Sequence, residues 1–288
     1  MPSFAVSTSV LALVQAALVL LPSAGRVRMP QRLTGRWWAI VPAASVLVVV
    51  FGLRAAAPAA QGLTYLALVA VPLLAAGALA YAARGARPPL GVLAVVLFAL
   101  AWANRQGLVG ETAALALSAL SCVALGVLLS AVAPSRWLKA GIVVMAVVDS
   151  ALVVSDLLQA PNDVLNAAAP VAGLPQLQTA VFGRALMGFG DLFIAGVLGA
   201  VLAVDPPLQR RGAVAVAVLG LGFNLLFLVV SELPATVPVA LALILVEVHA
   251  RRGRRRALEP ASLSGAGAGA GARASVPTVA LPATPRIE

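Results

Sequence analysis

Nine stretches of this 288-residue chain are nearly free of charge, and most are long enough to cross a hydrocarbon layer. They lie near residues 4–21, 38–53, 63–82, 90–103, 113–132, 140–158, 185–204, 213–230 and 234–248, the fourth and ninth being short. A layer roughly 30 Å thick takes about 20 residues of helix. Runs of Ala, Val and Leu such as these do not alternate polar with apolar, so the strands of a membrane barrel are the weaker reading. Hydrophobic residues make up 61% of the chain and charged ones 10%, more apolar surface than a soluble core uses. The expected fold class is an all-α integral membrane protein of about nine transmembrane helices.

The formal charge of +10 would suggest nucleic acid in a soluble protein, but these arginines punctuate apolar runs. One set of connections carries Arg26, Arg28, Arg32 and Arg36, then Arg84 and Arg87, then Arg136 and Lys139, then Arg210 and Arg211. The alternate set carries Arg54, then Arg105 with Glu111, then Arg184 with Asp156 and Asp163, then Glu232. Since basic loops stay cytoplasmic, this alternation predicts an outside amino terminus, a cytoplasmic carboxyl terminus and a multi-pass cell-membrane location. The first run has no Lys or Arg before it, so it reads as a span rather than a cleavable signal peptide. Trp37, Trp38, Trp102 and Trp137 fall near span ends, where amphipathic rings favour the interface.

Past residue 250 the composition changes. Arg251, Arg252, Arg254, Arg255 and Arg256 form a basic anchor with a possible partner in anionic lipid, and Gly-Ala repeats and Pro-rich sequence follow. Such sequence buries too little surface to fold, so residues 251–288 are expected to be a disordered cytoplasmic tail. The membrane part divides into an N-terminal five-helix region, 1–135, and a region of spans six to nine, 136–250. With one Cys and one His in the chain, neither an intramolecular disulfide nor a metal cluster is expected, and no cofactor motif is present.

Two acids interrupt the apolar runs. A carboxylate inside a membrane costs at least a few kcal/mol, so each is a functional candidate. Asp149 lies about ten residues into the sixth run and Asp191 near the start of the seventh. Helical rise puts Asp149 roughly 15 Å and Asp191 roughly 18 to 21 Å from the inner ends of their spans. Consecutive antiparallel helices are usually neighbours, so the two carboxyl groups are expected to face each other. Such a pair cannot cheaply carry two charges and shares a proton, which suits one member to deprotonating water while the other donates to a carbonyl. Gly188 and Gly190 leave room for a substrate backbone or facing helix beside Asp191.

Gly188-Phe189-Gly190-Asp191 resembles the signature of the GxGD intramembrane aspartyl proteases, the group of presenilin and signal peptide peptidase. In that family the first aspartate lies on the sixth of nine spans, the GxGD aspartate on the seventh, and a Pro-Ala-Leu motif opens the ninth. Asp149, Asp191 and Pro234-Ala235-Thr236-Val237-Pro238-Val239-Ala240-Leu241 follow in that order. The resemblance covers residues 140–245; the earlier spans match in number and hydrophobicity only. It implies a presenilin-like bundle, Asp149 and Asp191 as catalytic residues, and Gly188, Phe189, Gly190, Pro234, Ala235 and Pro238 as substrate-binding residues. The implied partners are transmembrane or signal-peptide helices, and the orientation resembles that of signal peptide peptidase. Val148 stands where the family has Tyr; Thr236 replaces the motif's leucine, or Val239 interrupts the motif if it starts at Pro238.

A helical substrate hides its carbonyls, so cleavage needs local unwinding and new partners for the freed groups. The polar, proline-punctuated segment 170–184 is a candidate strand for that purpose, with residues 234–238 holding the other side. Ser150, Ser155 and Asp156 are candidates for a water path to Asp149. Two rival uses of the same residues stay open: a proton- or cation-coupled transporter with the acids as a relay, and a prepilin-peptidase type of GxGD protease, whose signature continues with lysine where Leu192 and Phe193 stand here.

Overall fold

The computed structural model of the chain describes residues 2–25, 44, 57–105, 107–155, 173–228 and 233–266. It is mostly helical, with two compact units, Met1–Glu247 and Val248–Glu288. The elements are α1 (Phe4–Leu20), α2 (Ala57–Gly77, ending in a π turn at Ala78–Ala82), a 3-10 turn (Pro88–Val92), α3 (Leu93–Ala103), α4 (Leu108–Val132) and α5 (Ser135–Val154). Then come β1 (Thr179–Phe182), β2 (Ala185–Gly188), α6 (Phe189–Leu202), α7 (Pro206–Phe223), a 3-10 turn (Asn224–Leu228) and α8 (Thr236–Ala266).

Four helices among the described residues are long and apolar enough to cross a membrane: Gln61–Ala82, Leu108–Val132, Ser135–Val154 and Pro206–Phe227. Phe4–Leu20, Pro88–Ala103 and Phe189–Leu202 are shorter apolar helices. This is compatible with an all-α membrane protein, but it corrects the count of nine spans. Two causes are local. A 3-10 turn, Pro88–Val92, takes up the start of the fourth run, and residues 185–188 of the seventh run are strand. The second run, 38–53, lies outside the described residues apart from residue 44.

Helix α6 lies at the centre of the first unit, with ten of its fourteen residues buried. Small residues allow this, because in lipid the attraction between helices is close packing rather than water exclusion. A Cβ on Gly196 would stand 2.5 Å from the carbonyl oxygen of Cys122, and one on Gly126 would stand 2.5 Å from that of Gly196. On the other side a Cβ on Gly199 would meet the Leu18 and Val19 carbonyls at 2.7 Å. Backbone therefore touches backbone on both flanks, α4 on one and α1 on the other. Cys122, Ile194 and Leu198, each almost wholly buried, fill the remaining space.

The strands form an antiparallel hairpin whose register runs from Thr179 opposite Gly188 to Phe182 opposite Ala185. Its two-residue turn needs a positive φ, and Gly183 supplies one of 60°. The turn is held from outside: Gly183 N–H donates to Glu111 Oε2 at 2.7 Å, and Arg184 N–H donates to Ser7 Oγ at 3.2 Å. At α7, Gln209 is fully buried; its Nε2 donates to the carbonyls of Val19 at 2.8 Å and Pro22 at 3.0 Å. Arg84 Nη2 donates to Gln209 Oε1 at 2.6 Å, which joins the connections after α1 and α2 to the start of α7.

Helix α8 runs through the arginines to Ala266, within the stretch 251–288 expected to be a disordered tail. Apart from Gly253, residues 251–259 are Arg, Ala, Leu and Glu, which are good helix formers. Residues 267–288, with most of the Gly-Ala repeats, lie outside the described residues.

Candidate active site

Asp191 is the third residue of α6, and its position follows from the two glycines before it. Gly188 ends β2 in an extended conformation, and its N–H donates to Asp191 Oδ2 at 3.2 Å, closing the first turn of the helix. A carboxylate there is favoured by the unpaired N–H groups and the positive end of the helix dipole. Expecting a helix from residue 185 was therefore wrong for the first four residues, 185–188, which are strand.

Asp149 lies on α5, which packs against α6. Its carboxyl meets the start of α8: Thr236 Oγ1 donates to Asp149 Oδ2 at 2.6 Å. Thr236 is the first residue of α8 and has no solvent exposure. Asp149 lies within direct Coulomb range of Asp191.

Both acids line one cavity of about 840 Å³. Gly188, Phe189, Gly190, Pro234, Ala235 and Pro238 line it too, so the residues singled out from the sequence surround a single space. Segments far from them complete the wall: Thr8, Leu11 and Gln15 from α1, Leu66 and Val71 from α2, Phe223 and Asn224 near the end of α7. Leu66 and Leu186 line the cavity while being 62% and 50% exposed, so it reaches the apolar outer surface of the first unit. Most of the lining is apolar. Asp149, Asp191, Gln15, Thr179 and Asn224 are among its polar groups, and a buried water needs two to four polar partners of that kind. The buried Asn224 Nδ2 has no hydrogen-bond partner among the described residues.

Gln15 was not singled out from the sequence. It is 2% exposed, and its Nε2 donates to the backbone carbonyls of Asp191 at 3.3 Å and Ala235 at 3.2 Å. The first helix thus ties the GxGD turn to the residue before α8. A readable signal existed, since an amide within an apolar run is usually bonded across helices.

The suggested water path along Ser150, Ser155 and Asp156 is not formed as expected. Ser150 Oγ and Ser155 Oγ donate to carbonyls of their own helix, at 2.7 and 2.6 Å, and the cavity face of α5 is instead Met145, Asp149 and Val153. Asp156 lies outside the described residues, as do residues 170–172 of the segment 170–184; residues 173–178 lead into the hairpin, and 179–184 form β1 and its turn. Glu247 forms an ion pair with Lys139 of α5. Among the described residues no three His, Cys, Asp or Glu side chains cluster so as to hold a metal. No protein-family model, curated protein or solved structure matches the chain.

Proposed function

We propose that this chain is an intramembrane aspartyl protease that hydrolyses peptide bonds of transmembrane or signal-peptide helices. The observation that carries this reading is the meeting of Asp149 and Asp191, from two separate helices, on one cavity bordered by a strand hairpin and the proline-bearing entry to α8. Cleavage would proceed by addition and collapse. One carboxylate takes a proton from water as the water oxygen bonds to the scissile carbonyl carbon, while the other carboxyl gives its proton to the carbonyl oxygen. The tetrahedral diol then collapses: the C–N bond breaks, the nitrogen is protonated by the acid formed in the first step, and the diol's remaining O–H proton returns to the other carboxylate.

The surroundings suit a transmembrane substrate. An apolar entrance beside Leu66 and Leu186 admits a helix from lipid without desolvating charge. Once part of that helix unwinds, its backbone needs partners, and β2, whose four residues line the cavity, pairs only with β1 among the described residues. The remaining edge of β2 is a natural docking line, with Pro234, Ala235 and Pro238 on another wall. The positive-inside bias gives our orientation for the chain, amino terminus outside and carboxyl terminus cytoplasmic, with the arginines near residue 251 against anionic lipid.

The test is purification in detergent with a single-span peptide substrate, comparing the intact chain with Asp149→Ala and Asp191→Ala. Cleavage by the intact chain and loss in both variants is the expected result. Cleavage that survives either substitution sinks the dyad. An intact chain that cleaves nothing, but moves protons or cations across vesicles in an Asp149- and Asp191-dependent way, transfers the pair to a transporter.

A further inference from the structure

We infer that Thr236 is a positioning residue of the aspartate pair, holding the Asp149 carboxyl through its hydroxyl; this rests on the proteolytic reading above. In the resembled motif leucine occupies this place, and leucine has no side-chain donor. Here the hydroxyl donates to Asp149 Oδ2 at 2.6 Å, a short bond typical of a charged acceptor.

The geometry argues for positioning rather than incidental contact. A carboxylate rotates freely about its last torsion, because that torsion has broad, two-fold preferences. A short hydrogen bond from a fully buried neighbour restricts that freedom. Thr236 is the first residue of α8, so its hydroxyl is carried on the fixed start of that helix. The residue before it is anchored as well: the Ala235 carbonyl accepts from Gln15 Nε2, and the same nitrogen donates to the Asp191 carbonyl. The step from Ala235 to Thr236 therefore touches the side chain of one acid and, through Gln15, the backbone of the other. Any shift of the α8 entry turns the Asp149 carboxyl relative to Asp191.

Two variants separate the hydroxyl from the shape around it. Thr236→Val keeps the branched volume and the N–H but deletes the O–H, while Thr236→Ser keeps the O–H and deletes a methyl. On the single-span substrate, Thr236→Val should lower kcat by roughly 10- to 100-fold, the usual effect of losing a group that orients a reacting one, with KM within about threefold. Thr236→Ser should stay within about threefold of the intact chain. Thermal unfolding in detergent provides a readout that needs no activity. The destabilisation by Thr236→Val should vanish in an Asp149→Ala background if the two side chains are bonded, and should persist in full if they are not. An intact chain that cleaves, with Thr236→Val as fast as the intact chain or Thr236→Ser as slow as Thr236→Val, overturns this inference alone. An intact chain that cleaves nothing overturns the proteolytic reading and this inference with it, whatever the melting experiment returns.

Discussion

Gly196 offers a severe test of the packing that holds Asp191. Its ideal Cβ would lie 2.5 Å from the Cys122 carbonyl oxygen and 2.9 Å from the carbonyl carbon, both backbone atoms of α4. Ordinary contact begins near 3.4 Å, so Gly196→Ala is short of room by about 0.9 Å. No rotamer relieves it, because both partners are main chain; α4 and α6 must move apart. Core overpacking typically costs about 1–3 kcal/mol, and separating two helices also loosens Cys122 and Leu198 in their shared core. Five residues from Gly196 on the same helix, Asp191 moves with it, and a misplacement of about 1 Å can reduce a rate about 100-fold. The assay is thermal unfolding in detergent alongside cleavage, with Gly222→Ala as the opposite case. A Cβ there meets nothing within 4 Å, so alanine should be neutral or stabilising by up to about 1 kcal/mol. An unchanged melting midpoint for Gly196→Ala, or equal losses for the two variants, would refute the backbone contact as the feature that seats α6.

Other sites give independent tests. Gln15→Leu removes the donor shared by the Asp191 and Ala235 carbonyls, and should lower kcat about tenfold with little change in KM; wild-type kcat would exclude a role for α1 in ordering the site. Gln209→Leu strips a buried amide that serves Val19, Pro22 and Arg84, leaving their polar groups unpaired, and should destabilise by about 2–4 kcal/mol in detergent unfolding, whereas a loss under 1 kcal/mol would mean that water replaces it. Glu111→Ala should speed amide exchange at Gly183, whose N–H it leaves unpaired, while exchange on α6 stays slow; unchanged exchange at Gly183 would remove Glu111 from the hairpin anchor.

Much was readable before any coordinates. Runs of Leu, Ala and Val without alternation predict helices, and α1, α4 and α5 begin or end within a few residues of the expected runs at 4–21, 113–132 and 140–158. Asp149 and Asp191 stand out because an acid in an apolar run is expensive, and Gly188 and Gly190 stand out because they flank one of them. These are properties of a residue and its close neighbours along the chain.

Other features depend on contacts that sequence distance conceals. Hydropathy cannot distinguish a strand from a helix over a run as short as 185–188, because both bury the same side chains; what makes it β2 is pairing with Thr179–Phe182 and a turn held by Ser7 and Glu111. Composition likewise cannot predict that Gln15 would reach residues 176 and 220 positions away, or that Thr236 would bond an acid 87 positions earlier. The sequence by itself determined which side chains are too costly to bury without a purpose. Tertiary packing decided that they meet, because glycine-lined contacts set the spacing of α1, α4 and α6, and that spacing determines which donors reach each carboxyl and carbonyl.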